Sequence, residues 1–526
     1  MNPKYHLEQA YKEGTISRRE FLQRSALIGA TVALPGAMMS GAAWAERKRG
    51  GVLRLGMGGG STTDTIDPGT HTDSVGITIE RNMRSYLTEV SPSGELIGEV
   101  ATSWESKPGA TDWTFELRND VEFHDGQKLT ANDIIYLINH HIREGSTSAV
   151  AGQMGKIAEM KADGDHVLHI TLSEGNADFP WLISDYHVSI FPENGGWESG
   201  VGSGPYSLVN YEPGVRAELT RNDNYFKEGR PYFDGVEVTV IADAAARDNA
   251  LKTGQVDATN RVSQRTAHLL DKAPGVSVHK VVGTKQYTVP MLCNVPPFDN
   301  VKVRQALRLA VDREALLKTV LGGHGEIGND LPIGRRQEFY NTELPQREYD
   351  PDQAAFILKE AGMSGLSVEL SAADAAFDGA IDAAVLYAEH AKAAGININV
   401  IRESNDGYWS NVWQQKPWVM CYWSGRPTQD WMWTIAYESG GAWNDNNWEN
   451  ATFQSLLKQA RVEVDQAKRK DMYWEMQRLH WEEGGTVVPL FAADLMGVSD
   501  KILLPDVIGS DWELDGQRCG ERWSFA

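Results

Sequence analysis

The sequence predicts an α/β protein, and three observations carry that expectation. Strand-like and helix-like segments alternate along the chain, no self-similar period of a few tens of residues marks a solenoid, and no low-complexity linker divides it. With 526 residues, 41% hydrophobic and 23% charged, the chain has room for about three domains and a large core that needs no metal or disulfide staple. The 72 acidic residues outnumber 50 basic ones, the pI is near 5.1, and no Lys/Arg run interrupts that excess. This opposes nucleic acid or an anionic membrane as the main partner, since both attract basic patches. Cys293, Cys421 and Cys519 lack metal-ligand spacing and allow at most one disulfide.

At the amino terminus, Ser17-Arg18-Arg19-Glu20-Phe21-Leu22-Gln23 precedes a small-residue apolar stretch from Ser25 to Ala42 and then Ala43-Trp44-Ala45. A charged region, a short apolar region and an A-x-A site make a signal peptide over residues 1–45, and the paired arginines mark its twin-arginine variety. No later segment supplies the roughly 20 continuous apolar residues that cross a bilayer, so the mature chain is predicted to be free in a periplasm.

Residues 51–57 alternate as a strand and run into Gly58-Gly59-Gly60-Ser61, which matches neither the dinucleotide fingerprint nor the Walker loop and reads as a strand-end turn. Trp113–Leu117 alternates as a half-buried strand, and Phe123-His124-Asp125-Gly126 makes a turn. Thr130 with Asp133 opens a helix whose apolar positions include Ile134, Leu137 and Ile138, and Asp299 precedes another with Val303, Ala306 and Leu307. Further helices are predicted at 351–361, 380–394, 451–460 and 466–483. Short strands are predicted at 366–370, 396–401 and 418–422, and meander or crossover strands within 161–172, 217–220 and 236–241.

The order of motifs resembles one family. Ala101-Thr-Ser-Trp104, Trp113-Thr-Phe-Glu-Leu-Arg118, Val121-Glu-Phe-His-Asp-Gly126 and Leu129-Thr-Ala-Asn-Asp133 form its most specific block. Gly202-Ser-Gly-Pro-Tyr206, Pro297–Leu307, Ala310–Arg313 and Tyr349-Asp-Pro351 through Gly362 follow in the family's order. The chain is similar to the dipeptide/oligopeptide/nickel-type (family 5) solute-binding proteins of ABC importers. That resemblance implies a two-lobed periplasmic binding protein fold of the cluster C type, with an extra subdomain in the first lobe and a ligand cleft between lobes. The corresponding boundaries are 46–80, 196–280 and 486–526 for lobe I, 81–195 for its subdomain and 281–485 for lobe II. It also implies a monomer that captures a small peptide-like solute by hinge closure and hands it to ABC permease subunits.

Eight of the 17 tryptophans fall between 409 and 448, interleaved with Ser424, Gly425, Arg426, Asp430 and Asn444–Asn447. Aromatic plates with a few placed polar groups suit a pocket for a small organic ligand better than a core. Trp423 and Trp433 are expected to line it, with Trp409, Trp431 and Trp443 balanced between cleft and core, and Trp413 and Trp418 in the core. In the family, the segment after Trp423 faces the ligand, and peptide binders usually carry an Asp three residues on to hold the peptide amine. Arg426 stands there instead and suits a carboxylate, or a structural ion pair to Asp430. Asp430 is the alternative holder of an amine. Ser61, Thr62, His71, Asp73, Asp374 and Phe377 lie on loops that the family directs at the cleft. Quaternary amines, sugars and nickel complexes are alternative solutes. G-x-S-x-G, HExxH, Walker and CxxC motifs are missing, and Asp430 with Asp445 is the only suggestive acid pair for a hydrolase. No catalytic residue, cofactor or resident metal is predicted.

Overall fold

The computed structural model describes residues 47–526 apart from 72, 265, 406, 407 and 442; the signal peptide expected over residues 1–45 lies outside the described residues. Val52–Met57, whose alternation sends Leu53 and Leu55 into a core, sits inside a nine-stranded mixed sheet. It pairs in parallel with Gly235–Val240 on one side and Ala258–Thr259 on the other. Arg216–Arg221 and Tyr206–Glu212 extend that sheet antiparallel to one edge.

Two long strands cross the molecule. Val276–Pro290 and Thr486–Ser499 form one antiparallel ladder, with Val276 opposite Ser499 at one end and Pro290 opposite Thr486 at the other. Near its middle the register slips, because Val282 faces Ala493 and Gln286 faces Phe491. Gly283, Thr284 and Lys285 therefore stand out as a bulge, which sharpens local twist. Beyond it, Cys421–Trp423 and Gly325–Ile327 join the ladder.

Each half of the ladder carries its own apolar core. Leu53, Leu55, Tyr206, Val236 and Trp523 pack at one end. At the other, Val303, Leu307, Leu370, Tyr387 and Trp418 pack between helices Val301–Leu309 and Ala380–Lys392 and the parallel pair Ser367–Ala372 and Asn397–Arg402. Helix Val301–Leu309 is capped by Asn300 rather than Asp299, one residue later than the sequence suggests. A four-stranded antiparallel sheet, ordered Ala101–Ser106, Asp112–Leu117, Val167–Leu172, Ile157–Ala162, makes a third core with helix Ala131–Ile142. Thr130 and Asp133 form the expected capping box there. His124 turns out to be structural: its Nε2 donates to the Gly204 carbonyl at 3.1 Å, and Gly202 N–H donates to its Nδ1 at 3.3 Å.

A buried ionic cluster ties the Thr88–Val90 region to the carboxyl-terminal turn. The Lys227 ammonium lies 3.0 Å from Glu99 and 3.1 Å from Glu521 and also contacts Glu89. Arg518 bonds Glu99 at 2.8 Å and Arg522 bonds Glu89 at 2.7 Å. Among the described residues, these three glutamates are the one set of side chains close enough together to share a metal ion. Lys227 already supplies the cation at their centre. Burial alone would raise Glu89, but Arg518, Lys227 and Arg522 outweigh it and hold its carboxyl well below the usual range. Its contribution to stability is thus complete above the unfolded carboxylate pKa and is lost as pH falls through the lower folded value. Removing one partner of a buried ionic set costs about 3–5 kcal/mol. Lys227→Met should therefore lower the urea-unfolding free energy by about that amount at neutral pH. A loss below about 1 kcal/mol would mean that the cluster adds nothing beyond a surface pair.

Candidate functional site

A cavity of about 840 Å³ lies against the bulge of the crossing ladder. That volume falls in the usual range for a small-molecule site. Gly283, Thr284 and Lys285 from one crossing strand and Ala493, Asp494 and Leu495 from the other line it. One wall is Trp181 and Ser184–His187, followed by Ser510–Glu513; the opposite wall is Tyr422, Ser424–Pro427, Trp431 and Trp443.

Of the twelve residues expected at the site, Arg426, Trp431 and Trp443 line this cavity. Thr428 caps helix Gln429–Tyr437 by accepting from Trp431 N–H, which sets Trp431 in the first turn. Trp433, two residues on, projects to the far side of a 3.6-residue turn and is fully buried against Tyr437 and Phe453. It is core, contrary to expectation. Trp423 is also buried; its indole N–H donates to Asp445 at 3.1 Å, and its ring lies behind Trp443 at 6.1 Å. Trp409 is 41% exposed and stands outside the cavity, edge-on to Tyr422.

Asp430 is buried and bonded by Arg461 at 3.2 Å, so it is not free to hold a ligand amine. The salt bridge offered for Arg426 with Asp430 is therefore absent too. Phe377 stacks on Tyr287 at 3.7 Å inside a core, and Asp374 is solvent-exposed away from the cavity. His71 is buried with its Nε2 3.2 Å from Glu80, behind the wall rather than in it. Ser61 and Thr62 are exposed, with Ser61 N–H donating to Asp64. The glycine turn before them has spent its amides: Gly58 N–H donates to Asn260 at 2.7 Å, and Gly60 N–H donates to Asp73. Asp73 itself lines the cavity while capping helix Ser74–Met83. Asp445 accepts from both Trp413 and Trp423, and burial pushes its carboxyl up to about 6. With Asp430 on Arg461, neither acid of the suggested hydrolytic pair lines the cavity.

Most charges that do line the cavity are tied to one another. Arg261 bonds Glu513 at 2.9 Å, and Glu513 also accepts from Ser74 and Asn260. Arg81 lies 3.9 Å from Asp511. His187 offers one ring nitrogen to Asp185 at 2.6 Å and the other to the His71 carbonyl at 2.9 Å, with Tyr186 stacked on its ring. Arg426 differs. Its guanidinium bonds only the Gly425 carbonyl, lies over the Trp423 and Trp431 rings at 5.9 and 5.8 Å, and has no carboxylate within ion-pairing distance among the described residues. Burial lowers its pKa, and the nearby Asp185 carboxylate opposes this. Gln337 fixes the loop by donating to the Arg426 carbonyl at 2.8 Å.

The Trp181–His187 and Ser510–Glu513 walls were missed, although each mixes aromatic and charged residues as 409–448 does. Asp494 was legible in another way: it is the single charge inside the strand-like run Thr486–Ser499, whereas Lys285 shares its run with Lys280.

The fold agrees with that of relatives. Residues 95–445 match the family model described as "Bacterial extracellular solute-binding proteins, family 5 Middle", and the chain belongs to that family. It is a solute-binding protein of the kind that serves ABC importers, with the two-lobed periplasmic binding protein fold. The oligopeptide-binding protein AppA of Bacillus subtilis is 28% identical over 55% of this chain, and the match spans 56% of its own length. The dipeptide-binding protein of Escherichia coli is 26% identical over 73% of this chain and 78% of its own. The unliganded open form of the murein tripeptide binding protein MppA superposes with a TM-score of 0.81 at 18% identity, covering 91% of this chain and 97% of that one. No helix among the described residues is long and apolar enough to cross a membrane.

Gly425 makes the Arg426 loop possible. It has φ +72°, and a Cβ there would lie 2.1 Å from Thr284 Oγ1 and 2.5 Å from the Thr284 carbonyl oxygen. Gly440 has φ +75° with open space around it. Left-handed strain alone costs about 1–2 kcal/mol, so Gly440→Ala should lose about that much in denaturant unfolding. Gly425→Ala should lose more and also displace Arg426 from the cavity. Equal losses would show that the Thr284 contact is not a constraint.

Proposed function

We propose that this protein captures a small peptide-like solute bearing a carboxylate, closes its two lobes around it, and delivers it to an ABC permease. The observation that carries the reading is the Arg426 guanidinium: unpaired, held over two indole rings, and facing a cavity of about 840 Å³. A planar guanidinium accepts a carboxylate through two parallel hydrogen bonds. Trp431, Trp443, Trp181 and Tyr422 supply apolar contact for the rest of the molecule. Relatives named as oligopeptide- and dipeptide-binding proteins point to the same solute class.

Lobe I (46–80, 196–280 and 486–526, with its subdomain at 81–195) and lobe II (281–485) meet at the crossing ladder. A solute that touches both walls binds the closed form better than the open one, and that difference shifts the population. The protein acts as a monomer, without a catalytic group or cofactor, after twin-arginine export to the periplasm.

A charge-assisted pair of this kind contributes about 1.5–3 kcal/mol, or roughly ten- to a hundredfold in affinity. Titration calorimetry with short peptides should show Arg426→Ala weaker by that factor, with peptide amides binding wild type and mutant alike. Equal affinity of both proteins for free-acid peptides removes the carboxylate reading. Replacing Arg18 and Arg19 by lysine should leave the precursor in the cytoplasm; normal export of that variant would count against the twin-arginine route.

A further inference from the structure

We propose that Asp178 and Arg469 form a closure latch, an ion pair between the two lobes that favours the closed form whatever solute lies between them. This inference rests on the hinge closure proposed above and concerns a contact that does not involve Arg426. Asp178 stands at the head of the short helix Phe179–Leu182, whose Phe179 belongs to the apolar core of the four-stranded sheet. Arg469 lies on helix Gln466–Glu483, whose Tyr473 and Met476 pack in a separate core with Trp433 and Phe453. The pair bridges these two cores: the Arg469 guanidinium donates to the Asp178 carboxylate at 2.5 Å, with both side chains buried. Beside it, Ala177 N–H donates to the Arg461 carbonyl at 2.7 Å, and Val464 packs against the core of the sheet.

The two partners are held differently. Arg469 is fixed by its own side: its Nε donates to the Ala460 carbonyl at 3.1 Å, and the nitrogen that meets Asp178 also donates to the Tyr473 hydroxyl at 3.3 Å. Its guanidinium lies over the Phe339 and Tyr473 rings at 5.8 and 5.5 Å. The Asp178 carboxylate, by contrast, does not cap the helix it precedes, and Arg469 is its one hydrogen-bond partner among the described residues. A pair across a boundary is net favourable when one partner is already in place, because little ordering is lost on contact. Truncating Asp178 leaves the arginine charge buried and unmatched in the closed form, so closure becomes harder. The latch also reaches the cavity. Helix Phe179–Leu182 carries Trp181, which lines the main cavity and, with Ala177, one side of an adjoining cavity of about 540 Å³ whose other side includes Val464 and Arg469. Apparent affinity scales with the population able to bind, so loss of the latch weakens every solute by one common factor.

Residue-resolved hydrogen exchange of the mature protein tests the latch through two amides. Ala177 N–H bonds across the boundary, whereas Leu172 N–H bonds the Thr111 carbonyl at 2.7 Å within the sheet's own body and reports its folding. The probe is the small-molecule fraction that the protein releases on unfolding in guanidinium, returned to the refolded protein. In wild type the Ala177 amide should exchange faster when stripped than when replenished. In replenished Asp178→Ala it should exchange about tenfold faster than in replenished wild type, with Leu172 unchanged. Free-acid and amidated short peptides should both bind Asp178→Ala more weakly by the same factor, unlike Arg426→Ala, which spares the amides. Unchanged Ala177 exchange in Asp178→Ala, or an equal loss of protection at Leu172, overturns the latch and leaves solute-driven closure standing. Equal Ala177 exchange in stripped and replenished wild type defeats closure and this inference with it.

Discussion

The hydrogen-bonded ladder between Val276–Pro290 and Thr486–Ser499 is the constraint on which everything else depends. The two paired strands run from one apolar core to the other and fix the two in register. The slip near the middle of the ladder pushes Gly283, Thr284 and Lys285 toward the cavity, and Gly425 rests directly on Thr284. The Arg426 loop is thus positioned by the same backbone that links the halves. The cavity is therefore lined by the ladder as well as by its two walls.

Charge is handled in two distinct ways. Where the fold must hold together, cations and carboxylates are packed into buried, mutually satisfied sets, as with Lys227, Arg518 and Arg522 against Glu89, Glu99 and Glu521. Replacing such a set by apolar side chains is often neutral or stabilising, whereas removing one partner leaves a buried charge unmatched. In the cavity, His187 and Arg261 are similarly consumed by Asp185 and Glu513. Arg426 is left without a carboxylate partner among the described residues, over two indole rings at the cavity. That asymmetry separates a binding surface from a core.

Much of the architecture was legible in the sequence because local physics decides it. The capping box at Thr130, the helix at 466–483 and the strand at 51–57 follow from capping, length and alternation, and the motif order carried the family. The site was legible only in part. Tryptophan density marked the right stretch, yet composition cannot say which side of a helix faces a cavity; Trp431 and Trp433, two residues apart, point to opposite sides. His71, Phe377 and Asp430 look like site residues by type and are held elsewhere by Glu80, Tyr287 and Arg461. Tyr287 and Arg461 are distant in sequence from the groups they hold, and Glu80, nine residues from His71, belongs to no motif that marks it as a partner. The wall at Trp181–His187 was missed for the same reason.

The claim that matters most is that a solute closes two halves joined by the crossing ladder. Small-angle X-ray scattering tests it without knowing the solute: the mature protein is unfolded in guanidinium, stripped, refolded, and measured before and after its own released small-molecule fraction is returned. The account predicts a smaller radius of gyration on return, and a contraction that needs about ten- to a hundredfold more of that fraction in Arg426→Ala. Superimposable curves for stripped and replenished wild type would contradict it.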